Sequence, residues 1–441
     1  MALATPPGEG ALGVVRVSGP AALAVVQPLL RGPRTLDEFR PRELRRVWLV
    51  DPLTGGLLDD ALCVVMRAPA SYTGDDVVEL SCHGSPAVLR MVIERIIGAG
   101  ARLAAPGEFT RRAFLAGRLD LAQAEAVALL IGARTERAVA LAARAVAGAL
   151  SERLRAVHEG LLDLIAGLEV TLDFPDEHVG LDVEPAIETL TALREEVAQL
   201  RDSARRGRLV HEGLTIAIVG PPNAGKSSLL NALLGRERAI VSPLPGTTRD
   251  VVEGVIALGG VPVRLLDTAG LGEARDAIDA EGMRRTRLAI AESDLLLVVQ
   301  DGSAPVDRAV LVGTAERPHL LIRAKLDLPV HASHAGLDAI AVSSCAGIGL
   351  EALVAALTDI VRQRTGMDGD EAGIVASLRQ LELLDALYTA LSRCVEALAT
   401  APLEGALIDA HDAMGTVAAI LGIDVGDAVL DRIFSTFCLG K

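Results

Sequence analysis

Lys226 closes the run Gly220-Pro221-Pro222-Asn223-Ala224-Gly225-Lys226-Ser227, a complete phosphate-binding loop. Glycines at this spacing let backbone N–H groups approach phosphate oxygens, and the helix start that follows adds positive potential. Lys226 would reach the β- and γ-phosphates of a nucleoside triphosphate, Ser227 would ligate magnesium, and Ser228 belongs to the same site. The lysine is informative by its rarity. Only Lys325 and Lys441 join it among 43 basic residues. In a chain so rich in Ala, Gly, Val and Arg, arginine serves wherever either base will do, so the surviving lysines mark places where it would not.

Three later segments complete a set. Thr248, in Gly246-Thr247-Thr248-Arg249-Asp250, is the expected second hydroxyl ligand to magnesium. Asp267-Thr268-Ala269-Gly270 follows an apolar strand, so Asp267 would hold magnesium through water and the Gly270 N–H would sense the γ-phosphate. Ala324-Lys325-Leu326-Asp327 nearly matches the guanine-reading motif NKxD. Its Asp327 carboxylate pairs with guanine N1–H and the 2-amino group, a donor pair adenine lacks. Beyond these three, Ser343-Ser344-Cys345 can offer a backbone N–H to guanine O6. Four ordered motifs at this spacing indicate a GTPase.

Three positions set the site apart. Leu271 stands where many regulatory GTPases place a water-orienting Gln, so hydrolysis needs another source of charge. The Asn223 side-chain carbonyl can hold a monovalent cation beside the phosphates, acting as an arginine finger does, or it can cap its own loop. Ala324 stands where Asn would contact the base and tie its loop to the phosphate loop. Weaker affinity with guanine selectivity retained is the expected result.

The elements that position these residues follow from periodicity. Leu214 to Val219 reads as a strand feeding the phosphate loop, with further strands at 251–258, 261–266, 294–299, 319–322 and 339–342. Helical segments between several of them imply a mostly parallel sheet covered on both faces. Before this region, Leu150, Leu154, Val157, Leu161, Leu164 and Leu168 recur every three or four residues, as one buried helix face requires. Asp120 is the expected N-cap of the first helix, and Asp173 to Glu177, with Pro175, ends the leucine run. After it, Leu378, Leu381, Leu384, Leu387 and Leu391 predict another buried face. The first stretch mixes short apolar runs (13–17, 61–66, 77–80) with Gly and Pro turns and reads as α+β. An α/β domain is therefore inserted between two halves of a helical domain. The expected boundaries are 1–115, 116–210, 211–364 and 365–441.

Composition narrows the setting. Half the residues are hydrophobic and 2% aromatic, which favours helices and parallel strands over a sandwich. A net charge of −15 argues against broad electrostatic binding of nucleic acid, so an RNA substrate would need a local basic patch or a basic partner. The five cysteines form no CxxC pair, which argues against zinc and disulfides and for a reduced, cytoplasmic setting. No membrane span or secretion signal is expected. Ser81-Cys82-His83-Gly84 has the look of a metal cluster, but a loop histidine packed near a ligand pocket is the preferred reading.

From end to end the chain resembles the MnmE/TrmE family of tRNA-modification GTPases. The residues that carry this are Ala4 to Gly8, Tyr72-Thr73-Gly74-Asp75-Asp76 with Glu79, Pro106 to Phe114, Leu119 to Ala126, Asp173 to Glu177, the GTPase motifs, and Phe434 to Lys441 with its Cys-x-Gly-Lys ending. The resemblance implies a potassium-activated GTPase whose N-terminal domain dimerises and binds a tetrahydrofolate derivative, in the 5-formyl or methylene form. It implies a flavoprotein partner of the MnmG/GidA type, FAD-dependent, joined in a heterotetramer or larger complex. Together they would place carboxymethylaminomethyl or aminomethyl groups on the wobble uridine of certain tRNAs. Carried over by motif, potassium contacts fall on Asn223, the backbones of Ser242 and Leu244, and Thr247. Folate contacts fall on Arg16, Glu79, Arg118 and Lys441, and Cys438 matches a cysteine needed for modification. The chain departs from the pattern at Arg118, where Lys is common, at Asp279, which replaces a catalytic Glu, at Ala324, and at Gln380, which replaces a frequent His.

Two other classes compete. A ribosome-assembly GTPase would bind RNA through a basic module after the nucleotide domain, yet the sequence beyond Arg362 is helical and not notably basic. A signalling switch would use its flanking parts only to bind partners. Folate binding by the N-terminal segment would separate the first reading from both.

Overall fold

The structure is a computed structural model and describes residues 1–32, 35–174, 182–236, 252–268, 290–366, 373–400 and 402–440. The chain forms two compact units. One comprises residues 1–128, 146–197 and 382–441, the other 129–145 and 198–381.

The first unit opens with a six-stranded sheet. Its strands are β1 (Ala2–Leu3), β2 (Gly10–Ser18), β3 (Leu30–Arg31), β4 (Arg45–Val50), β5 (Leu57–Met66) and β6 (Val77–Gly84), in the order β1-β2-β6-β5-β4-β3. Every pairing is antiparallel. Alternation sets the faces. Val15 and Val17, Ala61, Cys63 and Val65, and Leu80 and Cys82 are buried in one core with Leu89, Val92 and Ile96 of the helix Pro86–Gly98. The apolar runs read from the sequence in this region are strands.

The helical part of this unit bears out the leucine periodicity. The helix Ala149–Asp173 buries Leu150, Leu154, Val157, Leu161, Leu164 and Leu168 and packs along the helix Leu403–Leu421. That partner buries Ala406, Ala410 and Ala413, small residues that allow close packing of a helix. Asp120 caps the helix Leu121–Gly132 as expected. Its Oδ1 accepts the Gln123 N–H at 2.9 Å while Gln123 Oε1 accepts the Asp120 N–H at 3.1 Å, a reciprocal capping box.

The second unit is the α/β domain. Its strands are β7 (Leu214–Val219), β8 (Val252–Leu258), β9 (Val261–Asp267), β10 (Leu295–Asp301), β11 (His319–Ala324) and β12 (Ile340–Ala341), in the order β12-β11-β10-β7-β9-β8. All pairings are parallel except β8 with β9. β10 is buried over Leu295–Gln300, the continuous apolar run of a strand covered on both faces. Gln380, expected from the resemblance to be a departure, has a structural use. It is buried, its Oε1 accepts the Ser377 N–H at 3.0 Å, and its N–H reaches Ser377 Oγ, so a second capping box starts the helix Leu378–Thr400. Leu378 corrects one expectation. It lies 54% exposed because it is the first residue of that helix, while Leu381, Leu384, Leu387 and Leu391 are buried.

Candidate functional site

The phosphate loop joins β7 to the helix Lys226–Arg236. It turns through Asn223 at φ +60° and Gly225 at φ +100°. Lys226 is buried, and its ammonium donates to Gly220 O at 3.1 Å and Pro221 O at 2.9 Å. Burial pulls its pKa down against the opposing pull of Asp267. Those two carbonyls hold the charge inside the loop where phosphate oxygens would compete for it.

Ser227 and Asp267, forty positions apart in sequence, meet at this loop. The Ser227 hydroxyl donates to Asp267 Oδ2 at 2.5 Å. Asp267 ends β9, and its other oxygen, Oδ1, is buried with no partner among the described residues. A hydroxyl beside an orphaned carboxylate oxygen fits a hard, oxygen-seeking cation such as Mg2+. Thr268 works differently: its hydroxyl donates to Ile218 O at 2.8 Å and pins the end of β9 to β7. Ala224 is buried, while Ser228 is an exposed residue of the helix.

The base-reading side is assembled from β11 and β12. Lys325 follows β11 with φ +59°, and its ammonium donates to Asp301 Oδ2 at 2.6 Å. Asp327 accepts the Ser343 hydroxyl on Oδ1 at 2.6 Å. That bond, with a backbone N–H and nearby Lys325, holds its carboxyl below the usual range. The Ser343 N–H is itself bonded to Ile348 O, which leaves the expected contact to guanine O6 with Ser344 or exposed Cys345. Gly220, Asp267, Asp301, Lys325 and Ser343 all stand at the carboxyl ends of parallel strands, where ligands bind in open α/β sheets. Asp301 was missed by sequence reasoning. Its only signal is an Asp closing an apolar strand, easily taken for a turn residue.

Ser242, Leu244, Thr247, Thr248, Ala269, Gly270, Asp279 and Lys441 lie outside the described residues.

A second cluster lies in the first unit. Arg16 on β2 and Glu79 on β6 stand directly opposite in register, with Arg16 Nε donating to Glu79 Oε1 at 2.6 Å. The Arg16 guanidinium lies 5.5 Å from the Phe109 ring centroid and also donates to Gly440 O at 3.2 Å. The tail is thus docked on this pair. Cys438 O accepts the Gly107 N–H at 3.4 Å, and the Cys438 side chain is exposed. Gly440, at φ +90°, passes so close to β1 that a Cβ would stand 2.6 Å from Leu3 O. Arg118 bonds elsewhere, donating to Pro69 O at 2.7 Å. His83 corrects the expectation of a packed loop residue. It lies within β6, one residue before its end, its ring is largely exposed, and Nδ1 pairs with Asp59 at 2.6 Å. Sequence reasoning also missed Glu108, which binds Arg102 and Arg112 at the start of the helix Glu108–Leu115.

All five cysteines are free, no metal-holding cluster of His, Cys, Asp and Glu occurs among the described residues, and no helix among them is long and apolar enough to cross a membrane.

Comparison with known proteins agrees with this geometry. Residues 1–118 match the family model of the GTP-binding protein TrmE N-terminus, and residues 121–438 match that of the MnmE helical domain. The tRNA modification GTPase MnmE of Koribacter versatilis is 42% identical over 450 residues, covering 100% of this chain and 98% of that protein. That of Moorella thermoacetica is 43% identical over 467 residues, with the same coverage. The Aquifex aeolicus protein of that name is 40% identical over 451 residues, covering 100% and 99%. Matches of this extent, on a chain whose phosphate loop and base-reading loop meet at one sheet edge, make it a member of the MnmE family of tRNA modification GTPases.

Proposed function

We propose that this chain is a potassium-activated GTPase that drives modification of the wobble uridine of tRNA to carboxymethylaminomethyl or aminomethyl uridine. The observation that carries the reading is convergence at one sheet edge: the loop around Lys226, the Ser227–Asp267 pair, and the Lys325–Asp327–Ser343 set. On this reading Lys226 exchanges its carbonyl partners for phosphate oxygens. Asp327 selects guanine. Ser227, Thr248 and, through water, Asp267 hold Mg2+, which neutralises phosphate charge. Asn223, Thr247 and the backbones of Ser242 and Leu244 hold K+ beside the phosphates, and Asp279 orients the attacking water.

The modification chemistry belongs to the other unit. Arg16, Glu79, Arg118 and Lys441 hold the tetrahydrofolate derivative that supplies the one-carbon unit, and Cys438 serves the modification. What supports this is the docking of the tail on the Arg16–Glu79 pair together with family membership. The active form is a cytoplasmic homodimer joined to a FAD-dependent partner of the MnmG/GidA type. The test is mass spectrometry of tRNA nucleosides from cells lacking the protein. Unmodified wobble uridine is the expected result, and normal modification would sink the reading.

A further inference from the structure

Ala324 leaves the base-reading loop without a side-chain amide to tie it to the phosphate loop. Its methyl lies 3.8 Å from where a Cβ on Gly225 would stand and can make no hydrogen bond. The loop is held from its other side. β10 and β11 stay in register to their ends, which places Asp301 opposite Ala324. Just beyond, the Gly302 N–H donates to Ala324 O at 2.9 Å, and a Cβ on Gly302 would stand 2.7 Å from that same oxygen. Asp301 then uses both carboxylate oxygens. Oδ1 accepts the Ser303 N–H at 2.9 Å and the Ser303 hydroxyl at 2.7 Å, and Oδ2 accepts the Lys325 ammonium. Its own carbonyl accepts the ring N–H of buried His334 at 3.1 Å. Lys325 sits in the left-handed region, where a residue with a Cβ is disfavoured and stays only if its surroundings hold it. Asp301 and Lys325 are 19% and 35% exposed, so their charge-assisted bond is less screened than one between fully solvated side chains.

We infer that Asp301 is a positioning residue for guanine-nucleotide binding, holding Lys325 and the loop that presents Asp327 where residue 324 supplies no tie. The inference rests on the reading of Lys325 and Asp327 as base-binding residues. Asp301 touches no nucleotide on this account and acts only through Lys325.

The test is titration of the full chain with a fluorescent GDP analogue, using Asp301→Asn, Ser303→Ala and each combined with Lys325→Met. Losing a charge-assisted hydrogen bond should raise the Kd of Asp301→Asn about tenfold, and Ser303→Ala, which only loosens Asp301, about threefold. Neither change should add to the loss in Lys325→Met. A merely structural Asp301 would keep the same effect in that background. A Kd within twofold of wild type for both single variants, or an undiminished effect beside Lys325→Met, overturns the inference. Should Asp301→Asn fail to fold, Ser303→Ala and its double variant decide alone. Asp327→Asn separates the two levels. If it still binds GDP as wild type does, the base-binding reading fails and this inference with it. If it loses GDP while Asp301→Asn and Ser303→Ala retain it, only the role of Asp301 falls.

Discussion

At the scale of single residues, the site depends on where charge is placed and what holds it there. Asn223 is the clearest case. Its φ of +60° is tolerated by Asn better than by most residues, because a short polar side chain can bond locally. The same geometry serves a capping role and a cation-binding one, and only the second predicts ion selectivity. Replacing Na+ by K+ at equal ionic strength should therefore raise GTP turnover strongly in the wild type. Asn223→Ala should abolish the difference between the salts. Phosphate release measured in both salts checks this, and equal wild-type rates would refute the cation assignment.

At the scale of elements, two helix starts carry separate predictions. Glu108 opens the helix Glu108–Leu115. Burial pushes its pKa up, but Arg102, the Ala105 N–H and Arg112 outweigh that and hold it down at about 2, against 4.5 for the free group. A carboxylate with a depressed folded-state pKa stabilises fully above its unfolded value and loses that contribution as pH falls through the folded one. The lost stability should thus appear between pH of about 4.5 and about 2, on the order of 2–3 kcal/mol. Glu108→Gln should lower stability at neutral pH and flatten that acid limb, as melting curves at stepped pH would show. An unchanged limb would mean the arginines are not its cause. Asp120 accepts from Gln123, Ser151 and Arg155. Asp120→Ala should cost about 1–2 kcal/mol in denaturant unfolding, and Asp120→Asn less. A loss under about 0.3 kcal/mol for the alanine variant would deny the cap its role. Legibility varied at this scale for a physical reason. Leu214–Val219 was readable to the residue, since an apolar run bounded by Gly213 and Gly220 has one strand reading. The Leu150 to Leu168 face was readable because period alone decides which side of a helix is buried. The Asp120 box was readable because capping is local. Arg16 opposite Glu79 was not, since sheet register is a tertiary fact and the two are 63 positions apart. Asp301 with Lys325 escaped for the same reason.

At the scale of the whole molecule, the two units divide the labour on the proposed reading. The nucleotide loops lie in the unit of residues 129–145 and 198–381, and the docked tail lies in the other. A change confined to the tail should therefore separate modification from hydrolysis. Cys438→Ser is the sharpest such change. The tail is fixed through its backbone, by the Gly107 N–H on Cys438 O and by Arg16 on Gly440 O. Serine keeps both bonds and the approximate size of the side chain. The exposed Cys438 side chain adds no core burial that serine would forfeit. What the substitution removes is sulfur chemistry, because a hydroxyl is a far weaker nucleophile than a thiolate. GTP hydrolysis by the variant should stay within about twofold of wild type, since a solvent-exposed substitution outside that unit shifts stability by about 0.5 kcal/mol or less. Wobble-uridine modification in cells carrying only the variant should disappear from the tRNA nucleoside profile. If both activities fall together, the tail is structural. If both persist, the thiol has no part in the modification, and the Arg16–Glu79 cluster must act without it.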